Sequence, residues 1–139
     1  MAHGAPDTAG RWGSPMTTVD MVVIEGDRHT TVLLSGEMDR ATCPEVRSRL
    51  RELVHRPLVL DVSGVEFFDA DGLRTLHQCA CNCQAEGTAL ALVGMRPFPA
   101  KLCRILGLDR HIPMCASTEE ALWCLLPRSD DEIRDWLSG

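Results

Sequence analysis

Residues 58–73 read LVLDVSGVEFFDADGL, and the fold turns on how they divide. Leu58, Val59 and Leu60 form a short apolar run suited to a strand buried on both faces. Asp61–Gly64 is a cluster of turn formers and reads as a break. Val65, Phe67 and Phe68 return the chain to the core. Asp69, Ala70, Asp71 and Gly72 follow, and an amphipathic helical pattern begins at Leu73. An acidic tetrapeptide thus stands at a helix start just past the carboxyl end of a strand. Open α/β sheets carry their binding sites at that end. The carboxylates also have an ordinary structural role open to them, since Asp is a good N-cap and the helix dipole favours negative charge there.

Upstream, Val19–Ile24 and Thr30–Leu34 flank Glu25-Gly26-Asp27-Arg28 and predict an antiparallel hairpin. Gly36, Glu37, Met38 and Asp39 follow as a short loop out of the second strand. Thr42 and Glu45 have capping-box spacing, with Pro44 in the first turn. Val46, Leu50, Leu53 and Val54 then make one buried helical stripe, which Pro57 ends.

Downstream, the helix opened by Asp69 runs to about Glu86, with Leu73, Leu76, Ala80 and Cys83 toward the sheet and Gly87 as its terminator. Leu90–Val93 is the next buried strand. Pro97–Leu106 is a short helix expected to bury Phe98, Leu102, Ile105 and Leu106. Gly107 is its C-cap, and Leu108 is placed for the accompanying apolar contact. Ile112-Pro113-Met114 suits only a short edge strand. Ser117 and Glu120 form a second capping box, leading a helix with Ala121, Leu122 and Leu125 that Pro127 stops. The order is ββαβαβαβα, an α/β domain with a mixed, mostly parallel sheet and helical crossovers. The patterning does not set the strand order. Val46, Leu50, Leu53, Leu73, Leu76, Ala80, Phe98, Leu102 and Leu122 are expected to pack as one core with Leu58, Leu60, Leu90 and Leu92.

The ends read differently. Residues 1–15 are rich in Gly, Ala and Pro and predict a disordered leader. Met16 offers a second start, and the domain occupies 16–127. The tail, 128–139, has a third capping box, Ser129 with Glu132, and a small apolar face of Ile133, Trp136 and Leu137. Such tails mostly dock on their own domain and less commonly meet a partner.

The chain has 139 residues, enough for one domain with a real core. Its net charge of −6 and the lack of a basic block argue against nucleic acid as a direct ligand. There is neither an apolar run long enough to span a membrane nor a secretory signal, so the expected compartment is the cytoplasm. The seven cysteines are then most simply reduced thiols. Cys79, Cys81 and Cys83 suggest metal at first sight. On a helix, however, Cys81 points nearly opposite to the other two, so the spacing predicts two buried fillers and one surface thiol. The five histidines are dispersed, and no nucleophile–base pair can be named. Neither an enzyme nor a cofactor is expected.

The string D-x-S-G-V-x-F-x-D-x-x-G-L, from Asp61 to Leu73, resembles the signature of the STAS domain family, whose bacterial single-domain members are anti-sigma factor antagonists. The Gly36–Asp39 segment is similar to that family's G-E-L-D loop, with Met38 at its aliphatic position. The resemblance covers Val19 to Leu126 in the same element order. It implies a regulator that binds an anti-sigma factor, of the GHKL kinase-like type, and so frees a sigma factor for transcription. The contact surface it implies comprises Gly36, Glu37, Met38, Asp39, Asp69, Ala70, Asp71, Gly72, Arg74 and His77. The family residue before the glycine is usually a serine that the partner phosphorylates. Here it is Asp71, which implies that the serine phospho-switch is missing. The chain is expected to be a monomer or weak dimer. A second reading keeps the fold and makes cysteine oxidation the input, through Cys81, Cys103 or Cys124.

Overall fold

The computed structural model describes residues 11–12, 19–126 and 130–138. Six strands form one sheet in sequential order: β1 (Arg11–Trp12), β2 (Val19–Glu25), β3 (Thr30–Met38), β4 (Leu58–Phe68), β5 (Leu90–Val93) and β6 (Met114–Cys115). The β1/β2 and β2/β3 pairs are antiparallel, and β3 through β6 are parallel. Helices α1 (Cys43–Arg51), α2 (Ala70–Ala85), α3 (Pro97–Leu106) and α4 (Thr118–Leu125) connect or follow the parallel strands, and α5 (Asp130–Ser138) closes the chain. The expected element order is present. β1 is an addition, lying inside the segment expected to be disordered and paired to Met21 and Val22. Met16, Pro127 and Ser129 lie outside the described residues.

The sheet separates two cores by strand alternation. Leu58, Leu60 and Val62 of β4 and Leu90 and Leu92 of β5 face one side, with Val46, Leu50, Leu73, Leu76, Ala80 and Cys83 of α1 and α2. Val59, Ala91 and Val93 face the other, with Cys115 and Ala121. The expectation of one core is therefore corrected. Leu122 belongs to the second cluster, while Leu53 and Leu102 are only half-buried against the first.

Asp61–Gly64 is not a turn. The strand β4 runs on through it, and the turn formers serve the first of two bulges. Leu33 pairs with Asp61 and Ser35 with Gly64, and then Gly36 pairs with Val65 and Glu37 with Phe67. Each offset inserts one extra residue on β4, so the inward positions shift from Val62 to Val65 and then to Phe68. Phe67 is left 49% exposed, against expectation. The Asp61 carboxylate accepts from the Ser63 N–H at 3.0 Å and the Ser63 hydroxyl at 2.6 Å, which fixes the first bulge. A side chain at Gly64 would press on Ser35.

The segment read as a loop, Gly36 to Met38, is likewise the end of β3. The α1 capping box does not form. The Thr42 hydroxyl donates to the Glu37 carbonyl at 2.8 Å instead of capping the helix. The Asp39 carboxylate accepts from the Ala41 and Thr42 N–H groups at 2.9 and 3.1 Å and closes the turn in its place. The cap at Ser117 does form, with the Glu120 N–H donating to its hydroxyl at 3.1 Å. The Glu120 carboxylate reaches back to the Ala116 N–H rather than to Ser117 itself.

The largest correction concerns α3. Phe98, Ile105 and Leu106 are 70%, 68% and 63% exposed, and Leu102 is half-buried. The buried residues of α3 are Pro99, Ala100 and Cys103, of which Cys103 joins the main core. A helix apolar on most sides cannot bury them all, and here the small residues take the inner position, so the large ones stay outside.

Candidate functional site

The carboxyl ends of β3 and β4 lie side by side, and one carboxylate, Asp69, ties the corner together. The Asp69 N–H donates to the Met38 carbonyl at 3.1 Å. One Asp69 oxygen accepts from the Gly72 N–H at 2.9 Å and caps α2. The other accepts from the Arg40 N–H at 3.0 Å, across 29 positions of sequence. Gly72 sits where α2 leaves this corner. A Cβ there would overlap the Met38 carbonyl oxygen and crowd the Phe68 ring, so only glycine fits. Gly36 has φ of 105°, a left-handed conformation at the second bulge that favours glycine.

Asp71 stands in the first turn of α2, partly exposed, and accepts a hydrogen bond from the Arg74 guanidinium one turn on. Its backbone carbonyl accepts from the Thr75 hydroxyl at 2.8 Å, and that hydroxyl accepts from Arg47 at 3.1 Å. Asp71 is thus held from α2 itself, and the α1 side of its surroundings is fixed by the Arg47–Thr75 link.

Beside this corner a groove of about 560 Å³ opens between α2 and α3. Phe68, Ala70, Leu73, Leu102, Leu106 and Leu108 form its apolar lining, and Asp69, Arg74 and His77 its polar edge. Phe98 and Ile105 continue the apolar surface along α3.

The structure brings Gly36, Glu37, Asp39, Asp69, Ala70, Asp71, Arg74 and His77 into one region at the strand ends and along α2. Two of the residues expected at a contact surface are buried within it. Met38 is 0% exposed and belongs to the main core, because β3 extends to it and its side chain alternates inward. Gly72 is buried by its packing on Met38. Both shape the surface from beneath and offer it no side chain.

Sequence reasoning missed the α3 half of the groove. The available signal was composition. Pro97–Leu106 holds only two charged residues in ten positions, Lys101 and Arg104, too few to give it a polar side.

The thiols are all free. Cys79 and Cys83 are buried and Cys81 is exposed, as the helical spacing requires. The Cys81 sulfur lies 3.8 Å from His77 Nε2. Cys103, another redox candidate, is buried among the small inward residues of α3. Cys124 is exposed and neighbours Cys115. Burial and the neighbouring Cys124 push the Cys115 thiol up to about 11. Burial also raises Cys43 and Cys103, and the hydrogen bond with Cys83, followed by burial, raises Cys79. Among the described residues, no three His, Cys, Asp or Glu side chains gather as a metal site. No described helix is long and apolar enough to cross a membrane.

Residues 21–116 match the family model described as Mlab, STAS domain. A Mycobacterium tuberculosis protein that bears the name of an anti-anti-sigma factor is 32% identical over 66 residues, which are 48% of this chain and 45% of that relative. The match therefore spans under half of the relative's length. Among solved structures, an anti-sigma factor antagonist from Mycobacterium paratuberculosis is similar with a TM-score of 0.70 at 28% identity, over 81% of this chain and 97% of that one. The Bacillus cell fate determinant SpoIIAA, in its phosphorylated form, shares the fold with a TM-score of 0.60 at 19% identity, over 73% of this chain and 96% of its own.

Proposed function

The chain belongs to the STAS domain family, and from that premise we propose that it is an anti-sigma factor antagonist, a regulator that binds an anti-sigma factor and releases a sigma factor for transcription. The names of its relatives support this reading. The observation that carries it is the groove. A rigid corner tied by Asp69 presents Ala70, Asp71, Arg74 and His77 beside an apolar surface that α3 leaves uncovered. Apolar ground with a charged rim suits docking of a protein surface. The work is binding, without catalysis. The partner's contacts fall on Glu37 and Asp39 at the strand end, on the Asp69–Asp71 turn and on Arg74 and His77 of α2. A partner of the kinase-like type finds no serine at the usual acceptor position, because Asp71 stands there. The switch is therefore not serine phosphorylation.

The test is capture of the native chain from its own organism, followed by titration of the recovered anti-sigma factor. Leu106→Asp, an exposed change inside the groove, is expected to weaken binding at least tenfold with the fold intact. Binding unchanged by Leu106→Asp, or capture that recovers no anti-sigma factor, overturns the reading.

A second reading, oxidation as the input, is favoured by the Cys115–Cys124 contact, which sets an exposed thiol against one at the sheet edge. A peroxide would take two electrons from the pair, forming one S–S bond and releasing water. A mass loss of two hydrogens confined to these cysteines after mild oxidation tests it.

A further inference from the structure

The chain contains one Asp–Gly pair, Asp71-Gly72, and no Asn–Gly pair. Such a link is prone to rearrange without any enzyme. Glycine has no side chain to shield its nitrogen, and that nitrogen attacks the carboxyl carbon of the aspartate before it. Glycine also leaves the backbone free to reach the geometry that attack requires. Here the pair stands in the first turn of α2, at the corner that Asp69 ties.

The turn is not free. The peptide group between Asp71 and Gly72 is held at both of its polar atoms. Its N–H donates to Asp69 Oδ1 at 2.9 Å, and its carbonyl accepts from the Thr75 hydroxyl at 2.8 Å. Thr75 is only 1% exposed, and Arg47 of α1 donates to the same hydroxyl at 3.1 Å. The Asp71 carboxylate is itself paired with Arg74. Attack needs the Asp71 backbone to rotate out of the helical region, until the Gly72 nitrogen faces the carboxyl carbon. Reaction therefore waits on local opening of the first turn of α2, with both bonds to the peptide group broken.

We propose that Asp71-Gly72 is a latent isoaspartate site, and that Asp69 and Thr75 are the clamp that keeps it closed. The first step is a cyclisation. The Gly72 nitrogen bonds to Asp71 Cγ and gives up its proton. One carboxyl oxygen leaves as water, taking that proton and one from solvent, and a five-membered succinimide remains. Water then opens the ring. Cleavage between the Gly72 nitrogen and Cγ restores aspartate. Cleavage between that nitrogen and the Asp71 main-chain carbonyl carbon gives isoaspartate. The water lost in the first step is regained in the second, so the mass is unchanged. The product has one more atom in its main chain. Gly72 already lies so close to the Met38 carbonyl that a Cβ would overlap it, so the corner has no room for the longer link. Isomerisation thus releases the join between the end of β3 and α2. Its effect on a partner rests on the function proposed above, whereas the rearrangement does not.

The full chain is incubated for weeks at physiological temperature and near-neutral pH, once native and once in guanidinium chloride. Isoaspartate is counted by protein isoaspartyl methyltransferase and located by fragmentation in the mass spectrometer. The unfolded chain is expected to accumulate it at position 71, and the native chain at least about tenfold more slowly. Asp69→Ala and Thr75→Val each remove one bond of the clamp. With their folds checked by circular dichroism, each is expected to isomerise about fivefold faster than the native wild type. Asp71→Glu is expected to abolish the signal, because a six-membered ring forms far more slowly. No isoaspartate at position 71 in the unfolded chain, or a signal that survives Asp71→Glu, would overturn the site. A native chain as fast as the unfolded one, or a folded clamp variant as slow as the wild type, would overturn the clamp. The native and unfolded wild type are compared without any variant, so a variant that fails to fold does not spare the proposal. No partner enters the measurement, so the proposed function and this site fail separately.

Discussion

Arg40 and Asp69 are 29 positions apart and joined by one hydrogen bond, 3.0 Å from the Arg40 N–H to Asp69 Oδ2. The other Asp69 oxygen caps α2 through Gly72. One carboxylate therefore locks the turn after β3 to the helix after β4. Asp69→Ala removes a cap and leaves a second N–H to water, a loss of about 1–3 kcal/mol. Asp69→Asn keeps one accepting oxygen and sets its NH2 group against the other N–H, so it is expected to lose half of that or more. Urea denaturation of the two variants measures both. A loss below about 0.5 kcal/mol for Asp69→Ala would contradict the tie.

Gly72→Ala tests the packing beneath the same corner. In an exposed helix interior, replacing glycine by alanine gains about 0.5–1 kcal/mol. Here the new methyl meets the Met38 carbonyl and the Phe68 ring, and backbone cannot move aside cheaply. The expected sign is therefore reversed, a destabilisation of about 1–3 kcal/mol. A rise in denaturation midpoint would show that the corner yields.

Leu60 is fully buried in the central strand and packs within the main core. Leu60→Ala is expected to cost about 2–5 kcal/mol, by lost transfer energy and the cavity left behind. A denaturant series reads this directly, and a loss near zero would remove β4 from the centre of the fold.

The thiols separate by exposure. Cys81 and Cys124 are expected to react quickly with a water-soluble disulfide reagent, and the five buried ones only on unfolding. The raised thiols also make the fold sensitive to alkali. The unfolded chain loses thiol protons near pH 9, the ordinary value, while folded Cys115 keeps its proton to about 11. Between those values the native state binds more protons, so stability is full below about pH 9 and falls as pH rises to 11. Cys115→Ala is expected to flatten part of that fall. An equal slope in the variant would assign the loss to other groups.

The α/β order was legible in the chain because long periodic segments such as Leu73–Cys83 admit one reading. The bulges were not. Asp61, Ser63 and Gly64 are turn formers in isolation, and only pairing with Leu33 and Ser35 makes them a kinked strand. Asp69 as a cap could be read locally, whereas its bond to Arg40 could not, since it depends on β3 and β4 being neighbours. The groove was half visible. Periodicity gave α2, but which side of α3 is buried was decided by the closeness that Ala100 and Cys103 allow. Nothing in a hydrophobic stripe says that the small residues win.

Asp71 gives the sharpest prediction about the proposed partner. A phosphoserine carries about −1.5 to −2 of charge and three acceptor oxygens, bulk that expels a docked protein. Asp71 carries one charge on a smaller, planar group, and Arg74 already neutralises part of it. The carboxylate is partly exposed, so a basic group on the partner can reach it and share it with Arg74. Asp71→Ala and Asp71→Ser are therefore expected to weaken binding of the anti-sigma factor by about 1 kcal/mol, roughly fivefold. The Arg74→Ala background separates the two contributions. There Asp71 loses its only pairing from α2, and its removal is expected to cost more than in the wild type if the partner supplies the cation. Titration calorimetry of the wild type, the two Asp71 variants, Arg74→Ala and the Asp71→Ala/Arg74→Ala double variant decides it. Binding that tightens when the carboxylate is removed would mean that Asp71 acts as a permanent mimic of the phosphorylated state, and that the chain is held in its weak-binding form.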